Sequence, residues 1–109
     1  MSEIRIVFCT FPDAERARQI GTVLVGKQLA ACVNLIPAVE SIYRWQGQIE
    51  TASEVLAIFK TTAAAWPAFE RALADLHPYD VPEIVAIEPS EVAANYSQWL
   101  QAESRPAKP

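Results

Sequence analysis

The sequence predicts an α+β fold whose elements follow the order β-α-β-β-α-β-α. Apolar runs rich in β-branched residues predict the strands. Between them, two stretches have apolar residues at every third or fourth position, which is the spacing of an amphipathic helix. With a right-handed crossover in each half, this order gives a ferredoxin-like split βαβ sandwich with helices on one face of an antiparallel sheet.

The first strand and the first helix are marked by a change in spacing. Alternating apolar residues predict a strand over 4–10. Asp13 is expected to cap the helix that follows, because a short side-chain oxygen accepts hydrogen bonds from the free N–H groups at a helix start. Ala17 and Leu24 then lie on one helical face, and Lys27 suits the C-terminal end of the helix.

A long central hairpin is predicted next. The extended runs are 31–36 and 41–45, and the return strand covers 48–60. Pro37 has no backbone N–H to give to a sheet, so it marks a bulge, a bend or an edge. Gln46-Gly47 is the expected turn, because glycine tolerates the positive φ that tight hairpins require.

The length of this hairpin predicts an assembly. Each side has about fifteen residues, against about five or six in an ordinary strand, and Tyr43 and Trp45 stand near its tip. A long exposed apolar hairpin promotes aggregation unless another chain covers it. We therefore expect an obligate homo-oligomer in which subunits pair sheet edges.

The second half of the chain repeats the alternation of helix and strand. Apolar residues at helical spacing predict a helix from Trp66 to Leu76. It should stop at His77, because the residue before a proline avoids the helical conformation. A short strand is expected over 83–87.

The last predicted element is a helix near the C-terminus. Ser90 is expected to cap it, and its apolar side carries Val92, Tyr96, Trp99 and Leu100. We expect a single domain over 1–103 and a disordered tail over 104–109, where prolines and charged residues predominate.

Composition excludes several classes of function. The 109 residues carry a formal net charge of −4. No cluster of lysine and arginine offers a surface to a phosphate backbone, so no nucleic-acid partner is expected. No apolar run approaches the roughly 18 residues of a membrane span, and the short, charged N-terminus is unlike a signal peptide. Two cysteines are too few for a disulfide framework. We expect a soluble, cytoplasmic protein.

One rim of the predicted sheet collects the best candidate ligands for a metal. The topology places the end of the first strand beside the end of the second helix, which brings Cys9, Asp13, His77 and Asp80 to the same rim. A thiolate and an imidazole suit copper or zinc. Cys9 and His77 are the candidate ligands and Asp80 is a possible third. Because two ligands fall short of a zinc site, a neighbouring subunit or solvent would have to complete it. A purely structural corner is the competing interpretation, and the one we favour.

Catalysis is not expected. The chain has one histidine and three scattered glycines, with no glycine-rich phosphate loop and no paired acid and base. A Cys9 thiol with His77 as its base is the least unfavourable arrangement, and nothing in the sequence supports it further.

Several spaced motifs resemble the CutA divalent-cation tolerance family. They are, in chain order, A-C-V-N (31–34), S-I-Y-x-W-x-G-x-I (41–49), E-V-L-x-I-x-K-T (54–61), H-P-Y-D-V-P-E (77–83) and Tyr96-x-x-Trp99-Leu100. The resemblance extends from about residue 4 to residue 101, which is nearly the whole chain.

The resemblance implies a fold, an assembly and a role. It implies a ferredoxin-like subunit in a tight homotrimer, related in form to PII-type signalling trimers, and a part in tolerance of metals, copper above all. Cys9 and His77 match positions to which copper binding is attributed in some bacterial members. Leu76 stands where those members have the first histidine of a pair.

Two other functions stay open from the sequence. The first is a PII-like binding module that takes a small ligand in clefts between subunits, lined by Tyr43, Arg44, Trp45 and Lys60. Plain interface packing is the simpler interpretation of these four residues. The second is a trimeric scaffold that docks a membrane or a redox protein.

Overall fold

The computed structural model describes residues 3–106, and its element order is the one expected. The elements are β1 (Ile4–Phe11), α1 (Ala14–Gly26), β2 (Cys32–Trp45), β3 (Gln48–Thr62), α2 (Trp66–Leu76), β4 (Val85–Ile87) and α3 (Ala94–Glu103). The predicted α+β class is confirmed.

The strands form one antiparallel sheet in the order β2-β3-β1-β4. β1 pairs with β3 along its whole length, from Ile4 opposite Thr62 to Phe11 opposite Val55. β2 and β3 pair as the long hairpin, with a register shift between Ile36 and Val39. This shift confirms the irregularity predicted at Pro37. A residue without an N–H cannot continue the ladder of hydrogen bonds.

The main core lies between the sheet and the two long helices. Val7, Cys9 and Phe11 of β1 contribute to it, at the alternate positions that a strand presents to one face. Phe59 of β3 meets Phe69 of α2 edge to face, with ring centroids 5.1 Å apart. α1 and α2 therefore cover one face of the sheet.

α3 departs from the expectation that the helices share one face. Leu100 packs with Ile4 and Ala31 in a second buried cluster. Ile4 points away from the face that Val7 gives to the main core, because three positions separate them. α3 therefore lies against the opposite face of the sheet.

The two predicted helix caps have different outcomes. Asp13 caps α1 as expected, and its Oδ1 accepts a hydrogen bond of 2.8 Å from the backbone N–H of Arg16. Ser90 does not cap α3, which begins after Ala93 without a side-chain cap. Val92 is instead drawn against the second cluster, so packing keeps residues before Ala94 out of the helix.

The first residue of the predicted tail packs against the body of the fold. Ser104 is buried, its hydroxyl lies 3.1 Å from that of Thr61, and its carbonyl accepts a hydrogen bond from Thr62. These contacts fasten the end of α3 to the end of β3. The rest of the predicted tail from 107 onward lies outside the described residues.

No helix in the described part of the chain is both long and apolar enough to cross a membrane. The cytoplasmic location stays a prediction.

Candidate functional site

The end of β1 and the end of α2 meet at one rim, as the topology required. The imidazole Nε2 of His77 donates a hydrogen bond of 2.7 Å to the carbonyl oxygen of Thr10. The ring also stacks on Phe11, with centroids 4.7 Å apart and planes 18° from parallel. His77, the first residue after α2, therefore ties the end of that helix to the end of β1.

Both nitrogens of the His77 ring are occupied. Its Nδ1 lies 3.1 Å from the backbone nitrogen of Tyr79. A backbone N–H can only donate, so Nδ1 must be unprotonated and Nε2 carries the proton. Burial lowers the pKa of His77, against smaller opposing effects of the Thr10 carbonyl and Glu54. The folded protein therefore favours the neutral form of the ring.

Glu54 completes a chain of hydrogen bonds at this rim. The hydroxyl of Tyr79 donates to Glu54 Oε2 over 2.7 Å, and the carboxylate is buried. Burial, followed by this bond, raises the pKa of Tyr79 above its ordinary value. Three contacts thus connect Thr10, His77, Tyr79 and Glu54. Glu54 was missed as a rim residue, although a carboxylate beside the buried start of an apolar strand is the signal that could have identified it.

Cys9 is a buried, protonated thiol in this subunit. It is fully buried in the main core, and its Sγ lies 3.8 Å from the carbonyl oxygen of Thr10. Burial, reinforced by Glu83 and Glu54, raises its pKa to about 12. Because the thiolate is both the metal ligand and the nucleophile, the protonated thiol behaves as a small apolar side chain.

The two aspartates predicted at the rim are not arranged as ligands. Asp13 is used as the cap of α1 and also lies 3.7 Å from the Arg16 guanidinium. Asp80 is exposed. Within residues 3–106, no three histidine, cysteine, aspartate or glutamate side chains are grouped so that they could hold a metal. A metal at the rim would have to displace bonds that the subunit already makes, so ligation by Cys9, His77 and Asp80 stays a prediction.

The second predicted group of residues is split between the two ends of the hairpin. Tyr43 and Trp45 pair with Glu50 and Gln48 near the tip, and Arg44 lies between them. Lys60, in contrast, pairs with Cys32 and with Ile6 in the body of the sheet. Glu50 and Lys60 are ten positions apart in β3, and at about 3.3 Å per residue the separation is roughly 33 Å. One subunit therefore cannot form a cleft from all four.

The distal part of the hairpin is an apolar surface. Beyond the bulge, both Ile42 and Ile49 are 67% exposed, and Tyr43 and Trp45 are 44% and 45% exposed. We call residues 39–53 the distal arm.

Lys60 has its own surroundings on the sheet face opposite α1 and α2. Its ammonium donates to the side-chain oxygen of Asn34. Cys32, its cross-strand partner, has its Sγ 3.7 Å from the hydroxyl of Tyr96 on α3. Sequence reasoning missed this cluster, because the pairing of β2 with β3 and the docking of α3 bring its members together.

Comparison with known proteins gives one consistent family. The family model described as "CutA1 divalent ion tolerance protein" matches residues 5–103. The "Divalent-cation tolerance protein CutA" of Thermus thermophilus is 46% identical over 96 residues, which cover 88% of this chain and 93% of the relative. "Protein CutA" of Homo sapiens is 41% identical over 98 residues, covering 90% of this chain and 55% of the relative. The chain thus spans about half of the human protein.

A solved structure of the same family has the same fold. The crystal structure of CutA from Xylella fastidiosa superposes with a TM-score of 0.92 at 40% sequence identity. The superposition covers 95% of this chain and the whole of that one (100%). The similarity therefore includes every element from β1 to α3.

Proposed function

The chain belongs to the CutA1 divalent ion tolerance family, and we propose that it acts in tolerance of divalent cations, with copper the first metal to test. The observation that carries this proposal is the match of the family model over residues 5–103, together with a relative named for divalent-cation tolerance at 46% identity. The proposed place of this role is the cytoplasm.

A homotrimer is the proposed working form. Its support is the distal arm, whose large apolar side chains are 44% to 67% exposed in the described subunit. β2 and β4 are the two edges of the sheet, and such edges readily add a strand from another chain. The number three comes from the family resemblance. Association through the arm and the edges would cover the apolar surface and remove both edges.

The rim is the proposed position for direct copper binding. Cys9 and His77 supply ligands of the type that copper prefers, and exposed Asp80 supplies an oxygen. Binding there must deprotonate a thiol with a pKa of about 12 and detach Nδ1 of His77 from Tyr79. Copper affinity should therefore be modest and should rise with pH.

No catalytic step is proposed. A nucleophilic Cys9 would need a base to remove its proton. Both ring nitrogens of His77 are already hydrogen-bonded to backbone groups. Tolerance would therefore depend on binding or on association with other molecules.

The proposal is tested by disrupting the gene in its own organism and measuring growth across a series of copper concentrations. Loss of the gene should lower the highest concentration tolerated, and a wild-type copy should restore it. Equal growth with and without the gene for copper and for other divalent metals would contradict the assigned role.

Direct binding is tested separately by copper titration of the purified protein. Cys9→Ser and His77→Ala should each weaken binding by at least tenfold. Cys32→Ser is the matched control, since it changes the other cysteine and leaves the rim intact. If all three variants bind as the parent does, the rim is not the site, although the role in tolerance could still hold.

A further inference from the structure

Tyr79 is tied to the rim at both of its ends. Its backbone N–H donates to Nδ1 of His77 over 3.1 Å, and its hydroxyl donates to Oε2 of Glu54 over 2.7 Å. Its ring also lies against the imidazole, with centroids 4.8 Å apart. A movement of Tyr79 that breaks the bond to Glu54 therefore also disturbs the bond to His77.

The bond between Tyr79 and Glu54 is the stronger of the two. A carboxylate accepts it, and hydrogen bonds to ionised groups are roughly twice as strong as those between neutral groups. Glu54 is 8% exposed, so little water competes for its oxygens. Burial, followed by this bond, raises the pKa of Tyr79, which keeps the phenol protonated and able to donate.

The segment that carries Tyr79 belongs to no helix or strand. Residues 77–84 lie between the end of α2 and the start of β4. Neither a helical turn nor a sheet ladder therefore holds the Tyr79 N–H in place. The side-chain bond to Glu54 gives this residue a direct link to β3.

His77 offers a metal ion only the nitrogen that Tyr79 occupies. Nε2 carries the proton and donates to the carbonyl oxygen of Thr10, so the available lone pair of the ring is on Nδ1. A metal ion or another electrophile reaches that lone pair only after the Tyr79 N–H has moved away.

We propose that Tyr79 and Glu54 form a latch that keeps the Nδ1 lone pair of His77 closed to metal ions and other electrophiles. Glu54 is a positioning residue, because it holds the Tyr79 hydroxyl while the Tyr79 N–H covers Nδ1. The effect of the latch on copper rests on the function proposed above, whereas the latch itself can be measured without any metal.

The first test measures access to Nδ1 by reaction of the whole protein with diethyl pyrocarbonate, which acylates an unprotonated imidazole nitrogen. The chain has a single histidine, so mass spectrometry of the peptide that contains His77 gives the rate. Tyr79→Phe keeps the ring and should raise this rate by about tenfold or more, as the loss of a hydrogen bond to an ionised group predicts. Glu54→Gln keeps a neutral acceptor and should raise it less. Tyr96→Phe is the matched control, because its hydroxyl contacts Cys32 instead, and it should react as the parent does.

A double variant separates a latch from general loosening of the rim. Tyr79→Phe and Glu54→Ala remove the same bond, so the double variant should react no faster than the faster single variant. If Glu54→Ala does not fold, Glu54→Gln takes its place with the same expectation. Increases that multiply in the double variant would overturn the proposal, and so would the parent's rate in both single variants.

Copper titration then separates the latch from the proposed function. Tyr79→Phe should tighten copper binding by about tenfold, because the metal no longer has to break the latch, and Tyr96→Phe should not. If Tyr79→Phe opens Nδ1 to the reagent but copper binds to neither protein, the latch stands and copper binding at the rim fails. If copper binds the parent and Tyr79→Phe equally tightly, and His77→Ala abolishes both, the latch does not close the lone pair to metal and the proposal is overturned.

Discussion

The two halves of the β2–β3 hairpin are made from the same strands but have opposite surroundings. In the basal half, Val55, Ala57 and Phe59 are buried under the helices. In the distal arm, Ile42 and Ile49 are each 67% exposed. The arm continues the pairing of the sheet beyond the bulge, but neither helices nor loops within residues 3–106 cover it.

The difference shows where each half obtains its stability. Burial of apolar area stabilises the basal half within one chain. The distal arm has comparable side chains and no cover, so its contribution must come from another molecule. Folding and association are therefore expected to be coupled in this protein.

The largest expected effect tests the basal half. Phe69→Ala should lower the free energy of unfolding by about 3–5 kcal/mol, because it leaves a cavity opposite Phe59 in the main core. Chemical denaturation followed by circular dichroism measures the loss. A loss of less than about 1 kcal/mol in the free energy of unfolding would mean that Phe69 is not part of a tightly packed core.

The next effect tests the distal arm. Ile49→Lys should raise the dissociation constant of the assembly at least tenfold, since it puts a charge into the surface proposed to be covered. Gln48→Lys adds the same charge at the neighbouring position of the arm and is the matched control. Sedimentation of both variants against the parent gives the comparison, and equal association of all three would refute the role of the arm.

A third prediction concerns the rim around His77, which reaches the hairpin through the hydrogen bond between Tyr79 and Glu54. Because the pKa of His77 is lowered in the fold, the unfolded chain binds the extra proton first, at its ordinary pKa of about 6.5. The free energy of unfolding should therefore fall as pH drops below 6.5 and through the lower pKa of the folded protein.

Denaturation midpoints between pH 7.5 and pH 5 measure this effect. His77→Gln keeps hydrogen-bonding groups at the position and removes the titration, so its stability should change less over this range. The chain has a single histidine, which makes the assignment unambiguous. An identical pH dependence in parent and variant would show that His77 is not held neutral.

The smallest expected effect tests a local contact on the surface. Asp13→Ala should cost about 1 kcal/mol, because the first turn of α1 loses the acceptor for the Arg16 N–H. Asp13→Asn should recover most of the loss. Thermal unfolding of the two variants separates the cap from the charge of the aspartate.

Local signals were enough to predict most of the fold. The α1 cap at Asp13, the irregularity at Pro37 and the end of α2 before Pro78 follow from the chemistry of one or two residues. The meeting of Thr10 with His77 followed from topology alone. These features do not depend on the details of packing.

What the sequence did not predict depends on contacts between distant residues. Ser90 has the right side chain for a cap, but packing of Val92 moved the start of α3. The bond between Glu54 and Tyr79 joins positions 25 residues apart. The separation of Lys60 from Tyr43, in contrast, follows from the predicted turn at Gln46-Gly47, because that turn already places Tyr43 opposite Glu50.

The most direct test of the coupling between folding and association is the mass of the protein in solution. Sedimentation equilibrium at low micromolar concentration should give three times the 12.0 kDa of the chain, and the value should fall for Ile49→Lys. A folded species with the mass of a single chain at that concentration would contradict the account, because the distal arm would then be stable without a partner.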